Sequence, residues 1–451
     1  MKKIILALAV LLAVQVADAQ TKSPADAKKA VEAAEAASQD AKKATKVATW
    51  LKLAETYMNA YTAPAGAAWI GASKQELQLV MGKEQPVSSE EVVLSGEPFL
   101  KESYQTRDHY YSTAGQLLMI VVTKPVYENA LELALNAYKK AYEVDVKQSK
   151  VKDIAAGIDN ISKKYYDDAM NYYTIGDNAK ASDLFAKAAE ASATAPFSNT
   201  NKDALYNAGF VAWAAQDWET AKKHFEKCLE IGYYYENGEV YAKLADVYAQ
   251  LGDNANSAAM LEKGFTAFPQ SQGILIGLIN YYLESGENTD RLFELIAEAK
   301  KNEPENASLY YVEGNVYNEL RAAEQDEAKA AELLAKAAAA YDACETVNPA
   351  YEYGFIGKGI MYYNMAIDLQ SKAAEELDDA KYAVLVEKFE SALMNSIEPF
   401  EKAYSISKDN TIKVSIAEYL KNIYYRFVSK GEKYEAGYKK YDEIAKTGQA
   451  I

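Results

Sequence analysis

The sequence predicts an all-α protein: a solenoid of about eight helix–turn–helix units, with a small β insertion in the first unit. Three observations support this prediction. A pattern of apolar residues recurs every 34 residues, and inside each repeat the apolar positions follow helical spacing. The composition, 49% hydrophobic and 25% charged over 451 residues, is ordinary for a folded protein and excludes wholesale disorder.

Residues 1–19 are predicted to be a signal peptide. Two lysines precede an apolar run over 4–16, and residues 17–19 have the small-x-small pattern that signal peptidases read, which places the cut before Gln20. The run is too short to persist as a transmembrane span, and no cysteine follows the cut for lipid anchoring. We therefore expect an exported, periplasmic protein without a transmembrane segment. Association with the outer membrane through a partner is left open.

The next segments lead into the first repeat. Residues 20–46 are rich in Ala, Lys and Glu, so they are predicted to form a helix that buries little and sits loosely on the first repeat. The first repeat is predicted over 47–145. Its insertion, 62–125, lacks helical periodicity but contains β-rich runs separated by turns, which predict a small β element that could consist of two hairpins. Two interpretations of the insertion are open: a cap over the end of the solenoid, or a docking surface.

The 34-residue period is clearest between residues 238 and 305. Tyr248 matches Tyr282 and Gly252 matches Gly286, and each glycine ends the first helix of its repeat. A helix–turn–helix of this length, with small and aromatic residues at these positions, resembles the tetratricopeptide repeat (TPR). The pattern predicts a regular array over 159–306, repeats with lengthened helices over 307–410, and a degenerate capping repeat over 411–451.

The resemblance implies a right-handed superhelical solenoid whose concave groove is lined by the first helix of each repeat. The positions of this chain that match groove positions are Tyr166, Met170, Tyr173, Tyr206, Phe210, Asn280, Leu283, Tyr311, Asn315, Asn318 and Tyr363. Rings supply contact area and asparagines can hydrogen-bond a peptide backbone, so these residues predict a groove for an extended polypeptide. The Lys/Arg arrangement by which some TPR proteins hold a C-terminal carboxylate is not matched, because Lys243 is accompanied by Glu239 and Asp246.

Catalytic chemistry is not predicted, and neither is a cofactor or a metal site. The formal net charge is −16, which disfavours nucleic-acid binding, and no phosphate-binding, hydrolase or metalloprotease motif occurs. His109 and His224 are predicted to be surface histidines. Three repeats separate Cys228 from Cys344, so both are predicted to be buried free thiols rather than a disulfide.

The predicted function is therefore that of an exported TPR scaffold, not an enzyme. Its partner would be another envelope protein or an extended polypeptide, in an assembly, secretion or chaperone-type role. The alternative is a glycan- or nutrient-binding component of an outer-membrane uptake system. A signal peptide followed by a Tyr- and Ala-rich acidic repeat protein looks like exported proteins of Bacteroidetes-type bacteria. The oligomeric state stays open.

Overall fold

A computed structural model describes residues 23–286 and 288–449. The predicted signal peptide and its cut before Gln20 lie outside the described residues. The chain divides into two units, the first ending at Gly264 and the second beginning at Phe265.

Helices make up most of both units. Along the described residues they are α1 (Pro24–Gln39), α2 (Val47–Thr62), α3 (Lys74–Met81), α4 (Ala130–Val144), α5 (Val151–Thr174), α6 (Asn178–Ala193), α7 (Lys202–Ala214), α8 (Trp218–Glu230), α9 (Glu239–Gln250), α10 (Asn254–Ala267), α11 (Gln272–Ser285), α12 (Thr289–Asn302), α13 (Ala307–Ala323), α14 (Glu327–Val347), α15 (Glu352–Glu375), α16 (Asp379–Ile406), α17 (Asn410–Phe427) and α18 (Glu432–Thr447).

Most of these helices form pairs that follow one another along the chain. In the first unit α2 packs on α4, α5 on α6 and α7 on α8. In the second unit α11 packs on α12, α13 on α14, α15 on α16 and α17 on α18. The contacts therefore define seven helix pairs among the described residues, and α9 and α10 follow one another in the chain between the third and the fourth of these pairs. The predicted all-α repeat fold is confirmed.

The turns between the helices of a pair repeat one backbone geometry in the first unit. Gly176, Gln216 and Gly252 each take a positive φ, between 61° and 87°, directly before an aspartate. The side chains of Asp177 and Asp217 then accept backbone N–H groups in the first turn of the following helix. These donors have no partner inside their own helix, so the aspartates fix where each second helix begins.

Close contacts between paired helices also recur. A glycine on the first helix faces an aromatic ring on the second, and a Cβ built on that glycine would come within 2.7–2.8 Å of the ring. The contacts are Gly209–Phe225, Gly314–Tyr341 and Gly359–Phe400. The side chain of any other residue would therefore separate the two helices.

Helix α1 is packed more firmly than its composition predicts. Ala27 and Val31 are completely buried in the same apolar core as α2. The Tyr57 hydroxyl of α2 also donates a hydrogen bond to the Glu35 carboxylate of α1. The prediction of a loosely attached helix was wrong because small alanine side chains let the two backbones approach closely.

The insertion between α2 and α4 contains a small β element, as predicted. Strands β1 (Ser88–Leu94), β2 (Glu97–Ser103), β3 (Arg107–Tyr111) and β4 (Leu117–Val122) form one antiparallel sheet in the order β1-β2-β3-β4. The insertion also contains α3, which the sequence analysis missed. A capping box stabilises the start of α3: Ser73 accepts from the Glu76 backbone and Glu76 accepts from the Ser73 backbone.

The sheet lies between α3 and the C-terminal end of α5. Tyr111 on one face packs in a small core with Leu77 of α3. Tyr110 and Met119 on the other face pack against Tyr172 of α5. Both faces of the sheet are therefore partly covered by helices of the same unit.

A buried polar cluster holds the sheet to the rest of the insertion. The Arg107 guanidinium, 3% exposed, donates to both Glu84 carboxylate oxygens at 2.8 and 3.1 Å, to the Pro64 carbonyl, and to Nε2 of His109 at 2.9 Å. Nδ1 of His109 lies 3.2 Å from the Tyr111 hydroxyl. Burial and the Arg107 charge lower the pKa of His109 to about 3. The prediction of a surface histidine was wrong.

Candidate functional site

The predicted groove positions of the first unit lie on α5 and α7, and the adjoining first helix is α9. We call the half-buried side chains that these three helices present together the first-helix surface. Its members are Tyr166, Met170 and Tyr173 of α5, Asn207, Phe210 and Trp213 of α7, and Lys243 and Asp246 of α9. On α5 and α7 the members are spaced as one stripe of a helix.

A hydrogen bond joins α5 to α7 on this surface. The Asn207 side-chain amide donates to the Tyr166 hydroxyl at 3.1 Å, and the Tyr166 ring meets Phe185 edge-on at 5.1 Å. A hollow of about 180 Å³ lies beside Tyr166 and is bordered by the carboxylates of Asp167 and Asp203. Tyr166 is therefore fixed in position while part of its surface remains in contact with solvent.

A second set of contacts joins α7 to α9. The Trp213 indole N–H donates to the Asp246 carboxylate at 2.5 Å, and the Lys243 amine lies 3.3 Å from the centre of a Trp213 ring. Lys243 is also 5.7 Å from the Phe210 ring centre. Burial lowers the pKa of Lys243, with Glu239 and Asp246 acting in the opposite direction. Trp213, Lys243 and Asp246 form a network of one cation–π contact and one hydrogen bond that holds the edge of the surface rigid.

Tyr206, also predicted to line the groove, lies beneath this surface. It is 4% exposed, and its ring stacks almost parallel on Tyr235 with centroids 3.9 Å apart. It also contacts Phe225 of α8. Tyr206 therefore supports Phe210, 6.1 Å away between ring centroids, instead of offering area to a partner.

The predicted groove positions of the second unit differ from one another in exposure and in contacts. Asn280 is exposed, and Leu283 is half-buried. Tyr311 packs in a cluster of tyrosine rings, and Asn315 accepts a hydrogen bond from Tyr341 at 2.7 Å.

Asn318 and Tyr363 also lie in different surroundings. The Asn318 side-chain oxygen accepts from the Arg321 guanidinium at 3.1 Å, within α13. Tyr363 of α15 borders a large open pocket. The side-chain oxygens of two of the three predicted asparagines thus already bind neighbouring side chains.

Sequence reasoning missed four members of the first-helix surface: Asn207, Trp213, Lys243 and Asp246. Phe210 and Trp213 follow Tyr206 at i+4 and i+7, so the helical spacing on α7 could have identified Trp213. Lys243 and Asp246 were considered only as a carboxylate clamp, whereas their contacts are with the ring of Trp213.

The histidines and cysteines offer little reactive surface. Burial lowers the pKa of His224 to about 4 and raises the pKa values of Cys228 and Cys344 to about 12 and 11. Both cysteines are buried free thiols, as predicted, and His224 is buried against prediction. Within the described residues no group of three or more His, Cys, Asp or Glu side chains is arranged to hold a metal ion. No helix in that part of the chain combines the length and apolarity needed to cross a bilayer.

Neither a protein-family model nor a curated protein sequence matches the chain. Solved structures resemble it at low sequence identity. YrrB, a TPR protein with an unusual peptide-binding site, is 20% identical, with a TM-score of 0.31 and a match covering 50% of this chain and 98% of YrrB. A TPR protein from Bacteroides fragilis is 18% identical, with a TM-score of 0.28 and coverage of 59% and 97%. One from Parabacteroides merdae is 14% identical, with a TM-score of 0.31 and coverage of 55% and 98%.

The fold itself can be identified from the described structure, independently of these matches. Seven packed helix pairs occur within the described residues, and similar turns and glycine–ring contacts recur between paired helices. These features give the chain the fold of a tetratricopeptide-repeat protein.

Proposed function

We propose that this protein is an exported, non-enzymatic scaffold whose first-helix surface binds an extended polypeptide segment of an envelope partner. One observation carries the proposal: rings and polar side chains of three consecutive first helices adjoin one another and are half-buried, and contacts fix Tyr166 and Trp213 among them. Asn207 fixes Tyr166, and Lys243 with Asp246 fixes Trp213. Side chains that are already ordered lose little conformational entropy when a ligand covers them.

The chemistry of this surface suits a polypeptide. Tyr173, Phe210 and Trp213 supply apolar area for side chains of the ligand. The Asn207 amide can bond a backbone N–H or C=O, because an asparagine side chain has two donors and an oxygen with two lone pairs. An extended segment advances about 3.3 Å per residue, so a few residues reach from one first helix to the next. The surface would therefore recognise the partner by its shape and through hydrogen bonds to its backbone, across α5, α7 and α9.

A photo-cross-linking experiment in intact cells tests the proposal. A photoreactive amino acid replaces Tyr173 on α5 in one strain and Lys227, on the second helix α8, in a matched strain. We expect a defined covalent product from the Tyr173 strain only. Many unrelated products from that strain would indicate general binding of unfolded polypeptides. Equal products from both strains, or none from Tyr173, would contradict a binding role for this surface.

The purified partner then allows a matched comparison of two tryptophans from the same repeat. Trp213 lies on the first helix α7 and Trp218 on the second helix α8, and both are half-buried. We expect Trp213→Ala to weaken binding about tenfold or more, because a large aromatic contact is lost. Trp218→Ala should leave the dissociation constant unchanged. Similar losses in both variants would indicate an effect of stability rather than of the surface.

A further inference from the structure

The four-stranded sheet of the insertion has two edge strands, β1 and β4, and only β4 is covered. The Leu117 N–H of β4 donates to the Ala72 carbonyl at 2.8 Å. The Ile120 carbonyl of the same strand accepts from the Asn171 side chain of α5 at 3.2 Å. In the described part of the chain, no backbone group of residues 88–94 forms a hydrogen bond outside the pairing with β2. Strand β1 is therefore the open edge of the sheet.

Three residues of β1 direct their backbone groups to this open edge. In an antiparallel sheet, the residues of a strand bond alternately to the strand on one side and to the strand on the other. Tyr104, directly after β2, donates its N–H to the Arg107 carbonyl of β3, so the odd-numbered residues of β2 bond to β1. The register pairs these residues with the even-numbered residues of β1. The N–H and C=O groups of Ser89, Glu91 and Val93 therefore point away from the sheet.

Strand β1 lacks most of the features by which proteins protect an open edge. Its pairing with β2 runs over all seven residues, Ser88–Leu94, without a register shift, and it contains neither proline nor lysine. Val93 is 71% exposed, and Val87, directly before the strand, is 72% exposed. A regular open edge with exposed apolar side chains is a template for the addition of a further strand.

The charge of β1 determines which strand can be added. Glu90 pairs with Lys101 of β2 at 3.3 Å, whereas Glu91 is exposed and forms no ion pair with any described residue. Glu91 is the central residue of β1, so two copies paired antiparallel over the whole strand would place their Glu91 carboxylates directly opposite each other. Like charges at such positions destabilise a sheet, and two chains of net charge −16 repel each other. A strand with a basic side chain at this position is favoured instead.

The other face of β1 favours apolar side chains on the added strand. Val92 and Leu94 are half-buried and pack against the small core of Tyr110 and Met119, to which Tyr172 of α5 also belongs. Neighbouring strands lie about 4.8 Å apart. Apolar side chains of a fifth strand on this face would therefore extend that core and be removed from water.

We propose that β1 binds an extended segment of a partner protein as a fifth, antiparallel strand. A basic side chain of the segment lies opposite Glu91, and its apolar side chains lie on the face of Val92. The insertion is thereby a docking surface and not only a cap. Its backbone groups bind the segment, and no repeat helix takes part, so the site is separate from the first-helix surface and does not depend on it.

Binding is tested with a fluorescein-labelled peptide, titrated against the full-length protein and followed by fluorescence anisotropy. The probe has seven residues that alternate valine and lysine, with lysine at the centre. One control peptide has the same composition with its valines and lysines in separate blocks. The other has N-methyl groups on the three lysine amides, which removes the donors that would face β1 and keeps the charge. We expect each control to bind at least about tenfold more weakly. Equal binding of all three peptides, or no saturable binding of the probe, would overturn the proposal.

Substitutions at Glu91 locate the site. Glu91→Pro removes an N–H that β2 does not use, so it should leave the sheet paired and weaken binding of the probe at least about tenfold. Glu91→Gln keeps the N–H and should weaken binding about threefold through the loss of charge. Glu97→Gln is the matched control, because Glu97 is an exposed carboxylate of the same hairpin but lies on β2. Equal losses from Glu91→Gln and Glu97→Gln would show general attraction of a basic peptide and contradict a site at the edge.

Hydrogen exchange resolved to single residues tests the same site without a substitution. In the free protein the amides of Ser89, Glu91 and Val93 should exchange fast, whereas those of Val92 and Leu94 should be protected by β2. A saturating concentration of the probe should slow the three outward amides at least about tenfold. Unchanged exchange at these amides would place the peptide elsewhere. Their protection in the free protein, together with a dimer in light scattering, would show that a second copy occupies the edge. Either result would refute the proposal.

The Trp213→Ala variant separates this site from the first-helix surface. It should bind the probe as tightly as the wild type, so failure of the first-helix surface as a binding site leaves this result intact. A tenfold loss in that variant would place the probe on the first-helix surface and rule out the edge of β1 as its site. Protection of the Val92 and Leu94 amides in Glu91→Pro checks that the sheet of this variant is intact.

Discussion

Asp168 shows how a single carboxylate can weaken the fold at neutral pH. It lies on α5, half-buried, and accepts a hydrogen bond from the Tyr61 hydroxyl of α2 at 3.0 Å. Burial raises the pKa of Asp168 to about 6, although the bond from Tyr61 acts in the opposite direction. In the unfolded chain its pKa is near 3.8. The folded protein therefore binds more protons than the unfolded chain between these two values.

This difference has a definite sign for stability. Where the folded state binds more protons, the free energy of unfolding falls as pH rises, so stability is lost between about pH 4 and pH 6 and stays lost above. We expect Asp168→Asn to raise the free energy of unfolding at pH 7 by about 1–2 kcal/mol, less than the full shift implies because the group is partly solvated. Asparagine keeps the bond from Tyr61. Urea denaturation at pH 7 and pH 4 measures the difference in the free energy of unfolding between this variant and the wild type. This difference should disappear at pH 4.

A control for this effect is Asp183→Asn on α6. Asp183 is largely exposed and pairs with Lys187 one turn away, so its replacement should change the free energy of unfolding by less than about 0.5 kcal/mol. A destabilised Asp168→Asn variant at pH 7 would mean that the charge of Asp168 is compensated in the fold.

At the scale of the element, the contact between a glycine and a ring determines how closely two paired helices approach. In isolation, alanine favours a helix over glycine by about 1 kcal/mol. At Gly209, however, the added methyl group would lie 2.8 Å from the ring of Phe225, which is completely buried and has no room to move. We expect Gly209→Ala to lower the free energy of unfolding by about 1–3 kcal/mol, measured by urea denaturation.

The ring provides the control for that prediction. Phe225→Leu removes Cε1 and Cζ, two of the three ring atoms nearest to the new methyl group, at the expense of a cavity. The double variant should therefore be less destabilised than the sum of the two single variants, by about 1 kcal/mol. Additive effects would show that the methyl group at position 209 acts through something other than Phe225.

These contacts also show which elements a sequence can predict. Helix pairs and strands follow from local periodicity, and Gly209 with Phe225 could be placed because both recur in the repeat. Helix α3 was missed because a helix of eight residues, about two turns, gives little periodicity next to strand-like runs. His109 lies two residues from Arg107 on β3, but Glu84, the carboxylate that pairs with Arg107, lies between α3 and β1, and no pattern in the sequence places it there.

The candidate site was less predictable than the fold for a similar reason. Tyr206 and Phe210 occupy equivalent positions by sequence, but Tyr235 from the following turn stacks on Tyr206 and covers it. The pocket of the second unit depends on Tyr425 of α17, which no repeat match placed near Tyr363. Such sites are assembled from different repeats, so a pattern read within one repeat does not contain them.

At the scale of the whole molecule, packing is carried by contacts between helices that are close in sequence. In the first unit α5 contacts α6, α6 contacts α7, α7 contacts α8 and α8 contacts α9; in the second the same sequence of contacts runs from α11 to α18. Stability in such an array is approximately a sum of repeat and nearest-neighbour terms. The loss of stability caused by a local change should therefore extend along a unit and weaken with distance from the changed repeat.

Hydrogen exchange measures this spread within the second unit. We expect Gly359→Ala, which would place a methyl group 2.7 Å from the ring of Phe400, to accelerate amide exchange most in α15 and α16. The effect should be smaller in α14 and α17, which contact that pair, and absent in α11 and α12. Gly448→Ala is the comparison: it strains the left-handed backbone (φ 66°) at the end of α18 instead of meeting a ring, and it should leave α15 and α16 unchanged. Uniform acceleration from α11 to α18 would show instead that the unit opens as a single cooperative block, in which a destabilising change in any one repeat is shared by all of them.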